Sequence, residues 1–82
     1  MNDHAARVDL YTTLGCHLCE EAEALLTHLQ REGLHIKVTP VEIADSPELV
    51  DQYGIRIPVV RVAERELGWP FTLDTLRNFL TL

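Results

Sequence analysis

Cys16 and Cys19 are the two cysteines of this 82-residue chain, three positions apart in "LGCHLCEEAEALL" (14–26). Two thiols at that spacing could cycle between dithiol and disulfide, because the second lies within reach of any adduct formed on the first. They could equally supply half of a four-ligand zinc site, or persist without a task on an inert scaffold. A static crosslink is a poor reason for them. The loop that a Cys16–Cys19 bond closes is tiny, so little entropy is removed from the unfolded chain.

The chemistry depends on what positions the pair. "RVDLY" (7–11) alternates, with Val8 and Leu10 on one face, and reads as a short strand. A helix follows from near Cys16, with Leu18, Ala22, Leu25 and Leu29 expected as its core-facing stripe. Glu20, Glu21 and Glu23 near its start and Arg31 near its end suit the helix dipole, and Gly33 is a natural stop. "HIKVT" (35–39) alternates again, and "VEI" (41–43) resumes the strand after Pro40. A proline there belongs on an edge strand, where one missing donor is tolerated.

"SPELVDQYG" (46–54) is punctuated as a helix, with Ser46 as N-cap, Pro47 at N1 and Gly54 after the end. "IPVVRV" and "RELGW" read as strands joined by a tight turn around Ala63–Arg65. "FTLDTLRNFL" closes the chain as a helix, with Thr72 as N-cap and Phe71 and Leu76 as a hydrophobic staple. The order β-α-β-α-β-β-α predicts a right-handed parallel βαβ unit followed by a hairpin. The economical α/β solution is a four-stranded mixed sheet covered by helices.

Composition narrows the function. A hydrophobic fraction of 46% supports a real core in a single domain spanning 1–82. Seven basic against thirteen acidic residues leave a net charge of −6. That excludes non-specific nucleic-acid binding, which needs a basic face, and adhesion to an anionic membrane surface. "MNDHAARVDLYTTLG" lacks the apolar run of a signal peptide, and no stretch approaches the roughly 18 apolar residues of a membrane span. A cytoplasmic protein with reduced cysteines is expected.

The first strand, "CHLC" (16–19) at the next helix start and "RIP" (56–58) opening the third strand together resemble the thioredoxin fold. The short chain, with no extra N-terminal strand, resembles its smallest members, the glutaredoxin-like proteins, over nearly its whole length. The resemblance implies a thioredoxin-like, glutaredoxin-type fold with helices on both faces of the sheet. It makes Pro58 the family's cis-proline, facing the cysteines, with the Ile57 backbone exposed to pair with a substrate. Departures are equally visible. "TTLG" has no lysine before the motif, His17-Leu18 replaces the usual Pro-Tyr, and "LGWPF" (67–71) has one glycine where glutaredoxins have a double-glycine turn. The acidic residues after Cys19 oppose a glutathione carboxylate.

The expected activity is thiol–disulfide exchange, with Cys16 as nucleophile and Cys19 as the resolving thiol. His17, Leu18, Ile57 and Pro58 are the candidate substrate-binding residues. Protein or small-molecule disulfides are the expected partners, and glutathione is a candidate reductant; no bound cofactor and no metal are expected. His17, if cationic, would lower the thiol pKa, whereas an exposed neutral histidine would not. Asp9 is read as a solvent-paired acid rather than a buried proton carrier, and Tyr11 and Tyr53 as packing residues. Trp69, Pro70 and Phe71 form either a lip of the site or the turn that seats the last helix. Two rival readings stand beside exchange. One is a metal or iron–sulfur site, for which His4, His17, His28 and His35 are the only further histidines. The other is a non-catalytic binding domain on the same scaffold.

Overall fold

Alternation along the first strand builds two cores rather than one. In β1 (Ala6–Thr12), Val8 and Leu10 are buried on one face of the sheet and Tyr11 on the other. The computed structural model describes residues 5–81. After β1 come α1 (His17–Arg31), β2 (Ile36–Glu42), a 3-10 turn (Ile43–Asp45), α2 (Pro47–Tyr53), β3 (Val59–Val62), β4 (Arg65–Gly68) and α3 (Leu73–Thr81). The sheet runs β2-β1-β3-β4, with β1 parallel to β2 and the other pairs antiparallel. This is the mixed four-stranded α/β arrangement that the sequence implies.

Pro40 sits within β2, opposite Leu10, on the edge strand where its missing N–H costs no ladder bond on the outer side. Val8, Leu10 and Val60 face α1 and α3, burying Ala22, Leu26, Leu29 and Leu76 in the larger core. Full burial of a side chain such as Leu26 contributes about 1.5–3 kcal/mol. On the other face Tyr11 and Val59 meet Ile43 and Tyr53, with Leu49 of α2 packed alongside. Helices therefore cover both faces.

The stripe of α1 differs from the expected one. Cys19, Ala22, Leu26 and Leu29 are its buried residues, while Leu18 is 42% exposed and Leu25 only flanks the core. Cys19 takes the core position because a cysteine packs as a small hydrophobe. Leu18, one residue earlier, is then turned about 100° away from that face.

The helix punctuation is as read. Ser46 Oγ accepts the Leu49 N–H at 3.3 Å, and Thr72 Oγ1 accepts that of Thr75 at 3.1 Å. Phe71 and Leu76 are buried in the same core, and Trp69 packs edge-to-face on Phe71 with centroids 4.9 Å apart. These residues thus seat α3. Arg77 ties α3 to the end of α1 through Glu32 at 2.7 Å.

Candidate functional site

The cysteines stand where β1 hands over to α1. Thr13 to Gly15 turn the chain back, with Gly15 at φ +83, and the Cys16 N–H donates to the Thr13 carbonyl at 3.2 Å. Cys16 is the N-cap of α1, and its Sγ accepts the Cys19 N–H at 3.1 Å. The two sulfurs are bonded, with Cα atoms 5.2 Å apart. Cys19 is 2% exposed, packed under the helix, whereas Cys16 is half-buried and open to solvent. A Cβ added at Gly15 would meet no atom, so its cost is purely that of the left-handed backbone. Gly15→Ala is expected to destabilise the protein by about 1 kcal/mol, read from the midpoint of a urea titration.

A groove of about 250 Å³ opens beside the disulfide, on the side toward β2. Leu10 and Pro40 line it, together with Leu14, a residue 94% exposed. Glu20, Glu23 and Glu42 complete it with three carboxylates. Glu42 faces Thr12 in the β1–β2 register, which brings its side chain under the cysteine loop. Its carboxylate accepts the Leu14 N–H at 3.1 Å and the Ala44 N–H at 2.8 Å. The Ala44 amide, followed by the Thr13 hydroxyl and the Leu14 amide, holds the Glu42 carboxyl below the usual carboxylate range. Glu42, Glu23 and Leu14 join the site without any motif that marks them in the sequence. Their meeting depends on the parallel register of β2, which no local pattern encodes.

The four candidate substrate-binding residues are not gathered into this groove. His17 is 83% exposed and points back along α1 to Glu21 at 3.4 Å. Leu18 is exposed beside it. Ile57–Pro58 is a cis peptide bond, as the resemblance implies, and Trp69–Pro70 is a second cis bond that the sequence reading did not anticipate. Tyr11 pairs with Val59, so Pro58 comes level with Thr12, at the end of β1 that leads into the cysteine loop. Pro58 itself is fully buried. The Ile57 N–H donates to the Tyr53 carbonyl at 3.1 Å, so that amide is already used and does not lie open to a substrate strand.

Asp9 accepts from Arg7 Nε at 2.9 Å and is a surface-paired acid. His28 pairs with Glu32 at 2.9 Å, far along α1 from the cysteines. His4 lies outside the described residues. A zinc site would need ligands beyond Cys16 and Cys19, and among the described residues no cluster of three or more His, Cys, Asp or Glu side chains could hold a metal ion.

Tyr53 has a polar role that the packing assignment did not include. Its ring stacks on Tyr11 with centroids 4.3 Å apart, and its hydroxyl donates to Glu66, which also binds Arg56 at 3.0 Å. The Glu66 hydrogen bond, reinforced by burial, pushes the Tyr53 phenol up to about 12. The same bond, with help from Arg56, holds the Glu66 carboxyl below its ordinary value. The folded protein thus keeps the phenolic proton more tightly than the unfolded chain, whose tyrosine titrates near ~10. The stabilisation is whole below about pH 10 and fades as the pH rises toward about 12. Denaturant titrations across that window are expected to show this loss in the wild type and a smaller one in Tyr53→Phe.

A parallel βαβ unit, an antiparallel hairpin and a Cys-x-x-Cys disulfide at the first helix's start define a protein of the thioredoxin-like fold. The model of the Glutaredoxin-like domain (DUF836) matches residues 7–81, so the chain belongs to that family, a divergent glutaredoxin-like branch of the fold. Among solved structures, it is similar to the protein XcR50 from X. campestris at 36% identity. That alignment covers 90% of this chain and 95% of that one, with a TM-score of 0.81. The protein Ne2328 from Nitrosomonas europaea aligns at 27% identity over 96% and 98% of the two chains, with a TM-score of 0.76. Thioredoxin 1 from Thermosipho africanus, at 15% identity, 92% and 94% coverage and a TM-score of 0.56, shares the fold. No curated protein matches the chain. Among the described residues no helix is long and apolar enough to cross a membrane.

Proposed function

We propose that the protein is a thiol–disulfide oxidoreductase working through the Cys16–Cys19 couple. One observation carries the reading: the two sulfurs are bonded at the start of α1, with Cys16 accessible and Cys19 buried beneath it. In the reduced protein the Cys19 N–H that points at Cys16 Sγ, and the positive end of α1, would favour a thiolate on Cys16. That thiolate attacks one sulfur of a substrate disulfide, forming a mixed disulfide and releasing the first substrate thiolate. Cys19, giving its proton to solvent, attacks Cys16 Sγ and releases the second. Two electrons pass from the protein dithiol to the substrate, whose two thiolates take up protons, and the protein is left oxidised.

Cys19 suits the resolving role because its burial keeps it from external disulfides while its sulfur remains within bonding reach of Cys16. The cytoplasm, where an external thiol can restore the dithiol, is the compartment that fits such a cycle. Glutathione is the candidate for that reductant. Substrate contact would come from the surface around Cys16, including His17 and Leu18, with Ile57 and Pro58 shaping the neighbouring loop.

Equilibration in glutathione buffers of stepped potential, followed by alkylation and mass measurement, tests the assignment. A sharp two-electron transition between two free thiols and none is the expected result. An adduct of glutathione persisting on Cys16 would mark glutathione as a direct partner. Thiols that never pair would overturn the exchange reading in favour of a binding domain.

A further inference from the structure

The groove beside the disulfide carries charge of one sign only. Glu20, Glu23 and Glu42 line it, and no Lys, Arg or His does. Neither the Glu20 nor the Glu23 side chain has an ion-pair partner among the described residues, although other acids of α1 and its end do. Glu42 is held by backbone N–H groups rather than by a cation. A substrate must bring its disulfide to Cys16, and so whatever flanks that disulfide meets three carboxylates with no cation among the residues lining the groove, His28 and Arg31 lying farther along α1 on the outer side of Glu20 and Glu23. Beside them, Leu14 and Pro40 offer apolar surface along which the methylene stem of a Lys or Arg can lie, with its head among the acids.

Building on the exchange reading, we propose that the groove selects disulfides flanked by cationic side chains, and that the substrates are basic polypeptide segments rather than glutathione disulfide. Glutathione carries two carboxylates against one ammonium, so its disulfide approaches this groove against the field. A cystine flanked by Arg or Lys approaches with it, and electrostatic steering of this kind raises association rates by tenfold or more at low salt. The bonds made and broken are those of the exchange described above, with the substrate cystine reduced to two thiols.

The test is a single turnover with the full chain, reduced by dithiothreitol and then desalted. Two cystine peptides, identical except for flanking Arg or Glu, and the neutral hydroxyethyl disulfide are presented separately. Loss of protein thiols is followed by alkylation and mass. Each rate is divided by that disulfide's rate with dithiothreitol, which removes intrinsic differences in reactivity. The Arg peptide is expected to react about tenfold faster than the Glu peptide at low ionic strength. That ratio should fall toward one as salt shortens the Debye length from about 10 Å at 0.1 M to about 3 Å at 1 M. A Glu20→Gln, Glu23→Gln double variant should narrow it at low salt. A ratio of one or below, while hydroxyethyl disulfide still reacts, overturns the charge selection and leaves the exchange reading standing. A ratio that neither salt nor the double variant changes overturns it as well. No reaction with any of the three disulfides overturns both.

Discussion

Cys16→Ser is expected to bring the rate of thiol–disulfide exchange down to the uncatalysed level, while Cys19→Ser stalls after one step. The asymmetry comes from where the sulfurs lie. Cys16 caps α1 at the accessible end of the pair, so under the proposed exchange its loss removes the nucleophile, and Cys19, being buried, is not placed to replace it. A serine hydroxyl in its place is a weak nucleophile, since its proton is not removed near neutral pH without a base. In the same proposed cycle Cys19→Ser keeps the nucleophile and removes the thiol that would resolve the adduct. Its product should be a mixed disulfide on Cys16, seen as a mass increase equal to half of the substrate. Cys16→Ser should fold, because the bond it removes closes a loop too short to add much stability. Cys19→Ser also places a hydroxyl in a core position and should fold at a further cost of about 1–3 kcal/mol. A Cys16→Ser protein that still exchanges, or an adduct found on Cys19, would reverse the roles.

What could be seen in advance divides along a physical line. The order of elements, the caps at Ser46 and Thr72, and the place of Pro40 on an edge strand follow from local stereochemistry, which short stretches of sequence carry. The pairing of Cys16 with Cys19 is equally plain, because it needs only their spacing and a helix start. The groove is not, because Glu42 reaches Leu14 across 28 residues through the β1–β2 register. His17 and Leu18 lie within the motif, and α1 leaves both exposed at its start, outside the groove's lining. The stripe of α1 departs from the periodic expectation for a related reason: Cys19, a reactive residue by its type, also fills a core position in the fold. The packing role of Tyr53 follows from its residue type, but its bond to Glu66 depends on β4 bringing that acid beside α2.

That bond leads to the second large effect, Tyr53→Ala, expected to cost about 3–5 kcal/mol of folding stability by denaturant titration near neutral pH. The ring is 1% exposed at the centre of the smaller core, between Tyr11, Ile43 and Val59. Its removal leaves a cavity that the short α2 cannot close without losing its seat on the sheet, and it strips Tyr11 of its stacking partner. It also leaves Glu66 with Arg56 alone and takes the ring from beneath the Arg56 guanidinium, which lies 5.1 Å from its centroid. For 82 residues a typical total stability is on the order of 4–12 kcal/mol, so the variant should sit near the edge of unfolding. Tyr53→Phe separates the contributions. It keeps the ring and its stacking and removes only the hydroxyl, whose net worth is about 1 kcal/mol. A Tyr53→Ala cost close to that of Tyr53→Phe would mean that the ring adds little, and that α2 is held to the sheet by its connecting segments rather than by the smaller core. The larger cost is expected because Tyr53 is the only residue of α2 that is fully buried.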